Sequence, residues 1–204
     1  MIIKVCGMRE PSNIKAVAKL GIDWMGFIFY EKSPRFIPHS AKPLPCLPCK
    51  KTGVFVNASL STILSTVHKH KLDNVQLHGN ESPELCLQLQ EKGLGVLKAF
   101  SISTKKDLVE TLPYEGTADY FLFDTKSESY GGSGRSFNWN VLAFYKGKTP
   151  FLISGGIRSN HLESIKNFSH PSWVGIDLNS GFESASAVKD ISLLHPFINA
   201  IKKL

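Results

Sequence analysis

Short apolar runs, without strict apolar–polar alternation, recur eight times along the 204 residues: at 2–6, 24–29, 54–57, 74–77, 95–100, 120–123, 149–153 and 173–178. Runs of that length and character are what strands buried on both faces of a parallel sheet require. Amphipathic or well-capped stretches alternate with them and predict helices over 11–20, 59–69, 82–92, 104–112, 138–145, 160–168 and 187–203. Pro11 suits the first turn of the first of these, Ser59 caps the next, and Ser82-Pro83-Glu84 combines a cap, a first-position proline and a first-turn acid. The slot at 38–50 carries Pro43, Pro45 and Pro48. Proline costs about 3 kcal/mol inside a helix, so that helix is expected to be short or broken.

Eight strand–helix pairs satisfy the arithmetic of a single-domain α/β fold, the (β/α)8 TIM barrel, spanning 1–204 at the small end of its size range. A doubly wound open sheet is the rival. It would want a glycine-rich fingerprint after the first strand, and Cys6-Gly7-Met8-Arg9 is not one. No linker composition divides the chain.

Composition narrows the function. No apolar run approaches the ~18 residues that would mark a membrane span, and the first residues lack the pattern of a signal peptide, so a cytoplasmic protein without membrane contact is expected. Lys+Arg minus Asp+Glu is 24 − 17 = +7, which raises nucleic acid or an anionic small molecule as partner. The basic residues are scattered, and Lys50-Lys51 has no aromatic interleaving, so no nucleic acid is expected and the anionic small molecule is preferred. The cysteines are Cys6, Cys46, Cys49 and Cys86. Cys46 and Cys49 form a CxxC with no second pair to complete a zinc site, so no metal and no redox use are assigned.

In a barrel, function lies where strands end. There the chain places Cys6, residues 30–35 with Arg35, Asn57, His78, Asp124, Gly155-Gly156, Asp177 and Ser180-Gly181. The stretch Asp119 to Gly134 delivers one acid, Asp124, to the end of a buried strand and follows it with the loop Tyr130-Gly131-Gly132-Ser133-Gly134. Glycine turns after the last two strands are placed to bind phosphate through backbone N–H groups. Lys4 lies on the same side of its strand as Cys6, and with a phosphate-binding field nearby it is expected to lower the thiol's pKa toward neutrality, making it a base. Asp124 in a closed pocket is expected to stay protonated and donate. A thiolate base facing a carboxylic acid suits an aldose–ketose isomerisation.

These residues occur in a recognisable series: Lys4-Val5-Cys6-Gly7, Gly26-Phe27-Ile28-Phe29-Tyr30 with Ser33-Pro34-Arg35, Gly53-Val54-Phe55-Val56-Asn57 and Val75-Gln76-Leu77-His78-Gly79. Phe123-Asp124-Thr125, Gly131-Gly132-Ser133-Gly134, Ser154-Gly155-Gly156 and Ile176-Asp177 with Ser180-Gly181 complete it. In this the chain resembles the phosphoribosylanthranilate isomerase family along essentially its full length. The resemblance implies an Amadori rearrangement in tryptophan biosynthesis without cofactor, with Cys6 as general base and Asp124 as general acid. It puts Arg35 on the anthranilate carboxylate, and His78 and Asp177 among the substrate contacts, a structural role being the alternative for Asp177. Gly155, Gly156, Ser180 and Gly181 would hold the phosphate, the loop through Gly131, Gly132, Ser133 and Gly134 would act as a lid, and other tryptophan-pathway enzymes are the expected partners. Asn179 departs from the serine more usual in the strand-eight turn. Neighbouring sugar-phosphate barrels, such as indole-glycerol-phosphate synthase or a ribulose-phosphate epimerase, would want lysine–glutamate or histidine–aspartate sets that are not evident. A non-catalytic anion-binding barrel is the remaining alternative.

Overall fold

The computed structural model describes residues 1–125 and 139–204; the expected lid, Gly131 to Gly134, lies outside the described residues. Eight parallel strands form a closed barrel in sequence order: β1 (Ile2–Val5), β2 (Trp24–Ile28), β3 (Lys50–Phe55), β4 (Asn74–Leu77), β5 (Gly95–Ile102), β6 (Tyr120–Thr125), β7 (Phe151–Ile153) and β8 (Trp173–Leu178). Closure comes from β1 against β8, with Ile2 opposite Gly175 and Lys4 opposite Asp177. Sequential closure excludes the open doubly wound sheet.

Because side chains alternate across a strand, each strand serves two cores. Outward residues such as Val5, Phe27, Phe55, Leu77, Phe100, Phe121, Phe151 and Leu178 belong to the large core between barrel and helices. Inward, Trp24, Leu97, Ala99, Leu122 and Leu152 form a smaller apolar cluster. The buried polar side chains of Lys4, Gln76 and Asp177 are inward too: Lys4 pairs in register with Trp24 on one side and Asp177 on the other, and Gln76 pairs with Leu97. The lumen is therefore apolar in part and polar where chemistry is expected.

Three helices start where the caps predict: α1 (Pro11–Ala18), α2 (Leu60–His70) and α3 (Pro83–Gln90), with Ser59 and Ser82 each accepting a backbone N–H. The proline-laden slot holds no α-helix, as the missing donors and ring clashes demand. Helices expected over 104–112 and 138–145 are instead 3-10 segments, Asp107–Tyr114 and Trp139–Phe144; the first contains Pro113. Following α4 (Leu162–Asn167), the helix expected from residue 187 starts later. Residues Glu183–Ala185 and Val188–Lys189 pair as an antiparallel hairpin, β9 and β10. Asp190 then caps α5 (Ile191–Ile201) by accepting the Ser192 and Leu193 N–H groups. The third strand begins four residues before the expected run, at Lys50. Its polar start is tolerated because the buried Lys51 ammonium reaches the His70 carbonyl at 2.7 Å. Among the described residues no helix is long and apolar enough to cross a membrane.

Candidate active site

Cys6 follows β1 directly, and its N–H donates to the Leu178 carbonyl at 2.8 Å, extending the closing ladder by one residue. The thiol is 3% exposed and packs on β2 at Gly26. A Cβ at residue 26 would stand 2.6 Å from Cys6 Sγ and 3.0 Å from its Cα, so only glycine leaves room for the thiol. Beneath it, Lys4 Nζ and Asp177 Oδ1 form a fully buried ion pair at 3.0 Å. The Lys4 charge also acts on the Cys6 thiol.

The expected lowering of the thiol pKa does not occur. Burial raises the Cys6 thiol above its ordinary value, and the opposing charge of Lys4 recovers only part of that. Desolvation penalises the anion, and Asp177 shares the cation that would otherwise stabilise sulfur. Burial likewise pushes the Asp177 carboxyl up against the pull of Lys4.

Asp124 sits inside β6, one residue before its end, with the inward register of Leu122. Its Oδ2 lies 3.4 Å from His78 Nε2, and His78 Nδ1 lies 2.8 Å from Gln76 Nε2. A cavity of about 740 Å³, counted to its open mouth, brings the two sides together. Cys6, Arg35, His78, Asp124, Gly155, Gly156, Asp177, Ser180 and Gly181 all line it. The glycine pair after β7 has φ of 83° and 66°, a left-handed conformation that other residues adopt only under strain. The Ser180–Phe182 turn after β8 lines the same cavity, with Gly181 packed closely against the Ile157 carbonyl beside that pair.

Arg35 is not a free fork. Its Nε and Nη2 donate to the two Glu183 oxygens at 2.8 and 2.6 Å. Lys189 Nζ donates to Glu183 Oε1 at 2.6 Å and to Asn179 Oδ1 at 2.8 Å. Burial would raise the Glu183 carboxyl, but these two cations hold it below the usual range. Thus Asn179, the departure in the strand-eight turn, ties that turn to a buried lysine. Glu183, Lys189 and Gln76 escaped sequence reasoning. The first two sit in a segment whose polar character gave no strand signal, and Gln76 reads as one residue of an ordinary buried strand.

A family model described as N-(5′-phosphoribosyl)anthranilate (PRA) isomerase matches residues 3–200. The chain belongs to that family. The N-(5′-phosphoribosyl)anthranilate isomerase of Parabacteroides distasonis is 55% identical over 206 residues, covering 98% of this chain and 93% of that protein. The phosphoribosyl anthranilate isomerase of Thermotoga maritima superposes with a TM-score of 0.86 at 31% identity, with both chains covered in full. A further solved isomerase, in complex with reduced 1-(o-carboxyphenylamino)-1-deoxyribulose 5-phosphate, superposes with a TM-score of 0.81 at 28% identity, again over both whole chains. The chain is accordingly a phosphoribosylanthranilate isomerase, an enzyme of tryptophan biosynthesis. The synthase, epimerase and non-catalytic readings fall away. Phosphoribosylanthranilate isomerase chemistry needs a base, an acid and two anion sites, and the cavity supplies candidates for each.

Proposed function

We propose that the chain, acting as one catalytic domain, converts N-(5-phosphoribosyl)anthranilate to 1-(2-carboxyphenylamino)-1-deoxyribulose 5-phosphate with Cys6 as general base and Asp124 as general acid. The observation that carries this is that a buried thiol and a carboxyl line one cavity, with glycine turns and an arginine on its wall.

Asp124 protonates the furanose ring oxygen. The C1–O bond breaks, the nitrogen lone pair forms the C1=N bond, and the ring opens to a Schiff base. The Cys6 thiolate removes the C2 proton, and those electrons form C1=C2 while the C=N π electrons return to nitrogen. The enolamine then loses its enol O–H proton and gains one at C1, giving the ketone. Proton transfers alone balance every step, so no cofactor or metal is invoked. Among the described residues no cluster of three or more His, Cys, Asp or Glu could hold a metal ion.

Gly155, Gly156, Ser180 and Gly181 receive the phosphate, and the free edge of Arg35 receives the anthranilate carboxylate. His78 and Asp177 contact the sugar or the amine. The isomerase in complex with the reduced product supports a small phosphorylated ligand here rather than nucleic acid. Enzymes that make and consume this pair of metabolites in the cytoplasm are the functional partners. Purified protein, assayed with and without a chelator, should consume the substrate as its fluorescence decays. No turnover under either condition would refute the reading.

A further inference from the structure

Among the described residues, one buried polar side-chain atom in the cavity wall makes no hydrogen bond. Gln76 lies on the inner face of β4, 1% exposed, and lines the cavity with Cys6, Asp124 and Asp177. Its Nε2 is 2.8 Å from His78 Nδ1, while its Oε1 makes no hydrogen bond among the described residues. Its register neighbours are Val54 and Leu97, so packing alone would accept an apolar side chain there. A buried amide oxygen left unpaired is costly, so in a ligand cavity it stands ready to accept from a donor on the ligand.

The other end of the amide has a consequence for His78. An amide nitrogen only donates, so His78 Nδ1 accepts and the imidazole proton sits on Nε2. That is the atom 3.4 Å from Asp124 Oδ2. We infer that Gln76 serves the isomerisation twice: its N–H holds His78 in the Nε2–H tautomer against Asp124, and its carbonyl oxygen accepts a hydrogen bond from a sugar hydroxyl of the substrate. The substrate's two anionic ends are repelled by a carbonyl oxygen, whereas the hydroxyls between them are donors. Gln76 is thus a substrate contact and a positioning residue for the proposed acid, a role that rests on the isomerase reading above.

The two functions separate by substitution. Gln76→Leu removes both and should lower kcat/KM by about tenfold, the loss expected from one neutral hydrogen bond with its partner left unpaired. Gln76→Glu keeps an acceptor for the sugar but has no N–H for the imidazole. It should hold KM nearer the parent while the His78 proton moves to Nδ1. Nitrogen-15 NMR of the imidazole at pH 8 reads the tautomer directly, which a merely structural role for Gln76 would not alter. A parent spectrum with the proton on Nδ1 overturns the proposal. So does a Leu variant with parental circular dichroism and parental kcat/KM. Should the Leu variant fail to fold, the Glu variant decides alone, and an unchanged His78 tautomer there overturns the proposal. A parent inactive on the substrate refutes the isomerase reading instead, so the two failures are distinguishable.

Discussion

Arg35 and Glu183, 148 residues apart in sequence, meet in a two-point ion pair at 2.8 and 2.6 Å. Both are nearly buried, at 10% and 6% side-chain exposure. The pair occupies Nε–H and one Nη2–H of a guanidinium that has five donors, and the remaining edge is fixed in direction. Lys189 shares the same carboxylate, so the cluster carries two cations and one anion, +2 − 1 = +1. On the proposed reading, a substrate carboxylate would meet a preset positive edge rather than a flexible side chain.

Arg35→Met should raise KM by roughly 10- to 100-fold, the range for losing a charge-assisted hydrogen-bonded contact, with kcat little changed. Steady-state kinetics checks this. Parental KM would remove Arg35 from substrate recognition.

Glu183→Gln should cost stability more than chemistry. It leaves Arg35 and the fully buried Lys189 without their shared anion. Breaking a buried pair on one side typically costs about 3–5 kcal/mol. Urea unfolding should show a lower midpoint at unchanged slope. A parental midpoint would mean that water or other groups compensate the two cations.

Cys6→Ser should reduce kcat by several orders of magnitude, because a serine hydroxyl is a far weaker base than a thiolate. The pH dependence follows in sign. Burial raises the Cys6 thiol above its ordinary value, and only the thiolate abstracts a proton. The kcat/KM of the parent should therefore still be climbing as pH passes the usual cysteine range, and that limb should vanish in the serine variant. A limb that survives in Cys6→Ser belongs to another group.

Asp124→Asn should abolish ring opening while sparing binding. General acid catalysis is worth about 10²- to 10⁴-fold, and an amide cannot supply the proton. The variant should bind the reduced product analogue with nearly parental affinity, as measured by calorimetry. Full turnover would exclude Asp124 as the acid.

The strands were legible because burial on both faces leaves no alternation to obscure them. The fourth and eighth, Asn74–Leu77 and Trp173–Leu178, begin and end where their apolar runs do. The third strand's polar start escaped notice, since a buried lysine such as Lys51 is acceptable there only because its ammonium finds a carbonyl, that of His70. The hairpin at 183–189 was hidden for a similar reason. Glu183 and Lys189 look like surface residues until Arg35 and Asn179 are brought to them from distant elements. The thiol's environment was half legible: Lys4 could be placed by alternation, but the burial that outweighs it could not.

By itself the sequence determined that eight strands build the barrel, in which stretch each lies, and which chemical groups stand near their ends, because all of these are local properties of composition and period. Only the tertiary structure decided which groups face one another. Closure of β1 on β8 puts Lys4 against Asp177 across 173 residues, and inward register carries Gln76, His78 and Asp124 to one wall. Partners, desolvation and the direction of each pKa shift depend on distances through space, and spacing along the chain does not encode those until the barrel closes.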